Sequence, residues 1–299
     1  MKIKKSAMER ITDVIIYTIL TILALLCLYP LYQVLVVSFS DPAIVMATNG
    51  FLFWPKGFHL DAYKIVFSNQ NIWIGFQNTL FYILAGTSLQ YALTALAAYP
   101  LSKNGLMLKR PLMIYMTITM YFSGGMIPFF LLINQLGLMN SRWAMIIPSA
   151  VNVWNIIVMR TQFNSIPDGL KDAATIDGAN DITMLIRILL PLSGAVSAVL
   201  LLFSAVSYWN MWYEPMIFLT DRGKYPIQSV LREILIDNSS QMMAGKAGAQ
   251  VKFDHTTNAA AQTLVKYANI IVCTVPILVV YPFAQKFFVK GVMIGSLKG

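Results

Sequence analysis

Charge is scarce in this sequence: 12% of its 299 residues are Asp, Glu, Lys or Arg, while 57% are hydrophobic. A soluble domain carries about a quarter of its residues charged, so composition excludes that class and places the chain in a membrane. There are two cysteines, Cys27 and Cys273, and both lie in apolar runs, where a lone thiol is a small hydrophobe and no metal spacing exists. The two histidines, His59 and His255, stand far apart without a carboxylate cluster at ligand spacing. No G-x-x-x-x-G-K-[ST] phosphate loop occurs, so nothing here cradles a nucleotide, and neither a cofactor nor catalysis is expected. Basic residues are not interleaved with stacking aromatics, which argues against nucleic acid. Carboxylates are nearly absent from the apolar runs; Glu214 and Arg160 stand only at run ends. That scarcity counts against transport driven by a proton or sodium gradient.

What is present is length without charge. Residues 14–39, 65–102, 111–141, 143–159, 188–213 and 267–285 hold no charged side chain. Each supplies the roughly 20 residues that cross about 30 Å of hydrocarbon, the fourth only with help from its flanks. The expected fold is an all-α integral membrane protein, one domain over 1–299, with six spans near 14–39, 73–100, 111–134, 143–162, 190–219 and 266–286. The first run lacks an A-x-A-like exit and reads as a permanent anchor. Lysine and arginine are about twice as dense in 1–13, 101–110, 160–187 and 286–299 as in the other connections, which places both termini in the cytoplasm by the positive-inside rule. Lys2, Lys4, Lys5 and Arg10, then Lys103, Lys109 and Arg110, carry most of that signal. Gly124-Gly125 with Pro128, and Pro148 with Asn152, punctuate spans three and four as candidate hinges or packing kinks.

Between the fourth and fifth runs lies the most structured polar stretch, residues 165–190. Ser165-Ile166-Pro167-Asp168 has the cap, proline and acid that start a helix. Leu170, Ala173 and Ala174 follow at i, i+3 and i+4, a narrow face of small side chains onto which a partner surface can close. Gly178 permits a sharp turn, and Asn180 or Asp181 can cap a second short helix running to Pro191. The acid-Ala-Ala of Asp172, Ala173 and Ala174, then Gly178, then Ile188-x-Leu190-Pro191 resemble the cytoplasmic loop of permease subunits of ATP-binding-cassette importers. The departure is Asp172, where that family usually has glutamate: the same charge on a shorter arm. The resemblance implies a coupling helix that docks into a cleft of the ATPase through Asp172, Ala173, Ala174, Asp177 and Gly178.

The carboxyl end, Gln285-Lys286-Phe287-Phe288-Val289-Lys290-Gly291 and Gly295-Ser296-Leu297-Lys298-Gly299, is similar to the tail of the carbohydrate-uptake branch, the type found in maltose importers. Trp209-Asn210-x-Trp212 with Pro215 and Asp221 resembles the same branch. The implied assembly contains a second homologous permease subunit, two ATPase subunits between which Lys298 and Gly299 reach, an extracytoplasmic solute-binding protein and membrane lipid. The implied cargo is a carbohydrate, with an oligosaccharide the leading case; a peptide or polyamine importer shares the elbow. Neutral polar residues within the runs, chiefly Asn152, Asn155, Tyr208, Trp209 and Asn210, suit a pathway for a hydroxyl-rich solute, since amides donate and accept and aromatic faces match sugar rings. Bonds between helices are the competing explanation for any one of them. Of the outer connections, residues 40–64 and 220–266 are expected to receive the binding protein. A gradient-driven transporter and a non-transporting scaffold or sensor remain the readings from other classes.

Overall fold

The structure, a computed structural model, describes residues 7–48, 52–103, 105–236, 263–280 and 282. Among these its regular structure is all helix, without a strand, as the apolar runs require: in lipid only a helix or a closed barrel satisfies its own backbone. Three helices are long and apolar enough to cross a bilayer, and up to five spans result if each of two sharply bent pairs counts as one. The chain's contacts gather into two compact units, one from the described parts of Met1–Asn69 and Asp237–Val275, the other from those of Gln70–Ile236 and Pro276–Gly299.

The first unit opens with α1 (Ala7–Ser38). Its apolar stretch is uncovered, and Thr12, Thr18 and Thr21 return their hydroxyls to carbonyls one turn back, which satisfies them within the helix. The described residues of the connection that follows, expected from sequence to receive the binding protein, fold into short helices and ring stacks. Asp41 accepts the Ala43 amide at 2.8 Å to start α2 (Pro42–Ala47), and Phe39 stacks on Phe58 and Tyr63 ahead of α3 (Asp61–Ser68). Phe53, Trp54 and Phe58 are left 66–78% exposed on this connection.

The second unit begins with α4, the span Gln70–Ser102, which widens to a π-turn over Tyr82–Gly86. Where a continuous third span is expected, the chain bends by 113° between α5 (Lys109–Tyr121) and α6 (Met126–Gln135), with Gly125 at φ 86° in the break. The fourth run is likewise divided, into α7 (Trp143–Ile146) and α8 (Val153–Ser165), with Pro148 and Asn152 between them. Both breaks fall at the glycines and prolines singled out above; the backbone leaves its helix where Gly supplies positive φ and Pro withholds a donor. Then come α9 (Asp168–Ile176), α10 (Asp181–Leu192), α11 (Gly194–Trp209), α12 (Tyr213–Phe218) and α13 (Ile227–Ile236), with an 85° bend between α10 and α11. The last described helix, α14, is Thr263–Val280.

Residues 220–236, the described start of the outer connection 220–266, are pinned to α4. Asn78 donates to the carbonyls of Gly223 and Tyr225 at 2.9 and 3.0 Å and accepts from Arg142 at 2.8 Å. Tyr82 donates to the Lys224 carbonyl, and the Thr79 hydroxyl accepts the Ile227 amide. Gly75 lets the Ile227 backbone come this close: a Cβ there would stand 3.1 Å from its Cα. The rest of that connection, 237–262 with His255, lies outside the described residues, as does the tail with Lys298 and Gly299.

Candidate functional site

The stretch 165–190 folds as an elbow whose geometry follows from two caps placed back to back. Ala179 N–H bonds the Ala174 carbonyl at 2.9 Å and Gly178 N–H bonds the Thr175 carbonyl at 3.0 Å. Those two bonds form a Schellman ending of α9, which needs a left-handed residue at the position Gly178 holds, and its φ is 82°. Two residues later the Asn180 side chain accepts the Thr183 amide at 2.8 Å and starts α10. The expected cap at Ser165 is not made. Its hydroxyl turns back to the Gln162 carbonyl at 2.7 Å and closes α8, and α9 starts without a side-chain cap. Leu170, Ala173 and Ala174 also separate: Ala174 is buried, while Ala173 and Leu170 face outward.

Ala174 packs in a cluster with Ala98 and Leu101 of α4, Met159 and Phe163 of α8, and Met184 and Leu189 of α10. Each large side chain fully buried there contributes roughly 1.5–3 kcal/mol, so several of them hold the elbow to the bundle against a pull. Polar ties add direction. Asp181 accepts from Tyr99 at 2.8 Å and pairs with Lys103 just beyond the end of α4, and Arg160 donates to the Leu101 carbonyl at 2.9 Å. The hydrogen bond between them holds the Lys103 amine above its ordinary pKa and the Asp181 carboxyl below its own, so the pair stays charged. The outer side of the elbow is the opposite kind of surface. Asp172, Ala173, Asp177 and Gly178 are exposed there, and beside them Ile176 is 86% and Ile182 69% exposed. These two isoleucines were not singled out from the sequence. Had the stripe been continued from Leu170 and Ala173 by another three residues, it would have reached Ile176. Asp172, Ala173, Asp177 and Gly178 thus share one open face, with Ala174 behind it as the root.

Further along the bundle, polar residues from four segments form a chain inside apolar surroundings. Asn155 reaches the Ser204 hydroxyl at 3.5 Å, Ser204 donates to Gln90, Gln90 donates to the Ser149 carbonyl at 2.6 Å, and the Ser149 and Tyr208 hydroxyls share a bond of 2.7 Å. Ser149 is available because the chain is not helical between α7 and α8. Tyr208 presses against Gly86 in the π-turn of α4, where any Cβ would collide with its ring and hydroxyl. A cavity of about 460 Å³ opens beside this chain, with Gln90, Ser149, Ser207, Tyr208, Asn210 and Glu214 as its polar lining and Met211, Trp212 and Phe218 among the rest. Its size and mixed wall are those of a small-molecule pocket. Of the five pathway residues read from sequence, Tyr208 and Asn210 line the cavity and Asn155 supports it through Ser204. Asn152 instead caps α8, accepting the Asn155 amide at 3.1 Å, and Trp209 turns to Phe76, ring centroids 6.2 Å apart. Gln90, Ser149 and Ser204 complete the seam. Gln90 and Ser204 are visible in sequence as polar interruptions of apolar runs, whereas Ser149 carries no signal beyond its place after Pro148. Among the described residues no cluster of His, Cys, Asp or Glu is arranged to hold a metal.

With this geometry in hand, comparison with known proteins gives consistent matches. Residues 90–294 match the family described as binding-protein-dependent transport system inner membrane component. The polygalacturonan/rhamnogalacturonan transport system permease protein YtcP of Bacillus subtilis (strain 168) is 40% identical over 290 residues, 97% of this chain and 99% of that one. Protein LplC of the same organism is 38% identical, covering 90% of this chain and 89% of its own length. The arabinooligosaccharides transport system permease protein AraQ of Halalkalibacterium halodurans is 24% identical over 91% of each chain. Among solved structures, a bacterial ABC transporter involved in the import of the acidic polysaccharide alginate superposes with a TM-score of 0.84 at 32% identity, over 96% of this chain and all of that one.

Proposed function

We propose that this chain, which belongs to the family of binding-protein-dependent transport system inner membrane components, is the membrane-spanning permease subunit of an ATP-driven importer for a carbohydrate, an oligosaccharide in the leading case. The observation that carries the mechanism is the elbow: an open face with an uncovered isoleucine, backed by a packed root in the bundle. Ile176 and Ile182 leave apolar surface on this protrusion that the described chain does not cover, and a docked partner would cover it. ATP is hydrolysed by a separate subunit, because no phosphate loop exists in this sequence to do it. Asp172, Ala173, Asp177 and Gly178, with Ile176, meet that ATPase on the cytoplasmic side; Ala174 transmits the push into the bundle. Lys298 and Gly299 extend the same contact from the tail. The density of lysine and arginine in 1–13, 101–110 and 160–187 supports this orientation.

A second, homologous permease completes the pathway, of which the cavity beside Tyr208 and Asn210 is this chain's share. The exposed Phe53, Trp54 and Phe58 give the outer face a surface for the solute-binding protein. Closure of two ATPases draws the elbows together and rocks the spans, a rigid-body switch between outward and inward opening. Carbohydrate is the cargo class supported by the named relatives and by a wall that joins amides, hydroxyls and aromatic faces.

The test is reconstitution of the full complex in proteoliposomes with ATP in the lumen facing the ATPase and labelled oligosaccharide bound to the solute-binding protein outside. The expected result is accumulation that needs both ATP and the binding protein. Uptake that follows an imposed proton or sodium gradient and ignores ATP would overturn the reading.

A further inference from the structure

One face of α5 has a use that carbohydrate import does not supply. Among the described residues, α5 buries no side chain. Arg110, Met113, Ile114, Thr117, Ile118 and Tyr121 recur on it at i, i+3, i+4, i+7, i+8 and i+11, a single helical stripe. Together with Arg160 of α8 this stripe walls a groove of about 790 Å³. The groove is apolar along its length and basic at the end where α5 starts with Lys109 and Arg110; Arg160, which also lines it, reaches the Leu101 carbonyl as Lys109 reaches that of Lys103. Thr117 does not interrupt it, because its hydroxyl is spent on the Met113 carbonyl at 2.7 Å.

The basic end is not neutralised from within. Lys109 donates to the Lys103 carbonyl and Arg160 to the Leu101 carbonyl, and among the described residues no carboxylate pairs with Lys109, Arg110 or Arg160. Cations left without counter-charge beside an apolar channel call for a ligand with one anionic end and a long hydrocarbon end. Thirteen helical residues rise about 20 Å, the reach of one bilayer leaflet. We propose that this groove is a binding site for an anionic diacyl phospholipid, its phosphate held by Lys109, Arg110 and Arg160 and one acyl chain laid along Met113, Ile114, Thr117 and Ile118. A lipid is the occupant this charge pattern favours, since basic clusters at the ends of membrane helices match anionic headgroups. The proposal needs only that the chain sits in a bilayer, and it stands or falls independently of the cargo.

The experiment is native mass spectrometry of the intact complex released from nanodiscs containing either phosphatidylglycerol or phosphatidylcholine. Wild type is expected to retain phosphatidylglycerol and not phosphatidylcholine, and added glycerol 3-phosphate is expected not to displace it. Replacing two headgroup cations, Lys109→Gln with Arg110→Gln, is expected to weaken retention about thirtyfold, a few-fold for each charge. Ile118→Trp fills the channel, leaves the cations in place, and is expected to lose the lipid as well. Equal retention of both lipids by wild type, unchanged retention by both variants, or a cross-link from Ile114→Cys to another protein of the complex across this groove would overturn the assignment.

Discussion

Replacing Gly178 with valine is expected to bring uptake to background while the chain still inserts and assembles. The residue sits at φ 82°, and the left-handed region costs an L-residue roughly 1–2 kcal/mol, more when it is β-branched. A Cβ at this position meets nothing within 4 Å, so the bundle itself does not object. The cost falls on the Schellman ending: relaxing φ withdraws the Gly178 and Ala179 amides from their carbonyls and swings Ile176 and Asp177 away from the open face. Gly169→Ala is the control, because Gly169 lies in the helix that Gly178 terminates, meets equally open space and has no positive φ. Uptake by vesicles, normalised to chain in the membrane, reads the difference. A Gly178→Val chain that transports normally would remove the elbow from the mechanism.

The second large effect is expected at Gly86. Valine there drives into the ring of Tyr208, which is 4% exposed and tied to Ser149. Overpacking costs about 1–3 kcal/mol, and separating Tyr208 from Ser149, whose hydroxyl keeps the Met145 carbonyl, takes the bond from the inward Tyr208 hydroxyl at a further roughly 1–3 kcal/mol. The purified complex is expected to melt several degrees lower, and uptake to fall more than tenfold. Combining Gly86→Val with Tyr208→Ala vacates the space, so the melting temperature is expected to recover while uptake does not, since Tyr208 lines the cavity. Additive destabilisation in that double-mutant cycle would show that the two residues do not press on each other.

Local features were legible in the sequence and long-range ones were not, for a physical reason. Runs without charge announce helices because lipid gives the backbone no alternative. Gly124-Gly125 and Pro148 announce breaks because their backbone restrictions act within a turn. Gly178 and Asn180 announce the elbow because each cap involves partners no more than five residues away. The Ser165 cap failed on the same scale: a hydroxyl between two helices can serve either, and here it closes α8. The polar seam is of another kind. Gln90 and Ser204 are 114 residues apart, and nothing in either helical period says that they meet. The π-turn at Tyr82–Gly86, which brings Gly86 under Tyr208, is equally silent, since it adds a residue to a turn without a marker residue. Ala174 was grouped with Ala173 by period alone. Tertiary packing separated them, sending one to the root and the other to the face.

The central claim is that the elbow between α9 and α10 is where an ATPase pushes. Site-directed cross-linking from Ile176→Cys tests it most directly, in a complex whose native Cys27 and Cys273 have been replaced and whose ATPase carries cysteines along its cleft. The account predicts an adduct of this chain with the ATPase that forms rapidly from position 176 and not from Ala174→Cys, which is 8% exposed. Absence of any ATPase adduct from position 176 in the assembled, transport-active complex would contradict it.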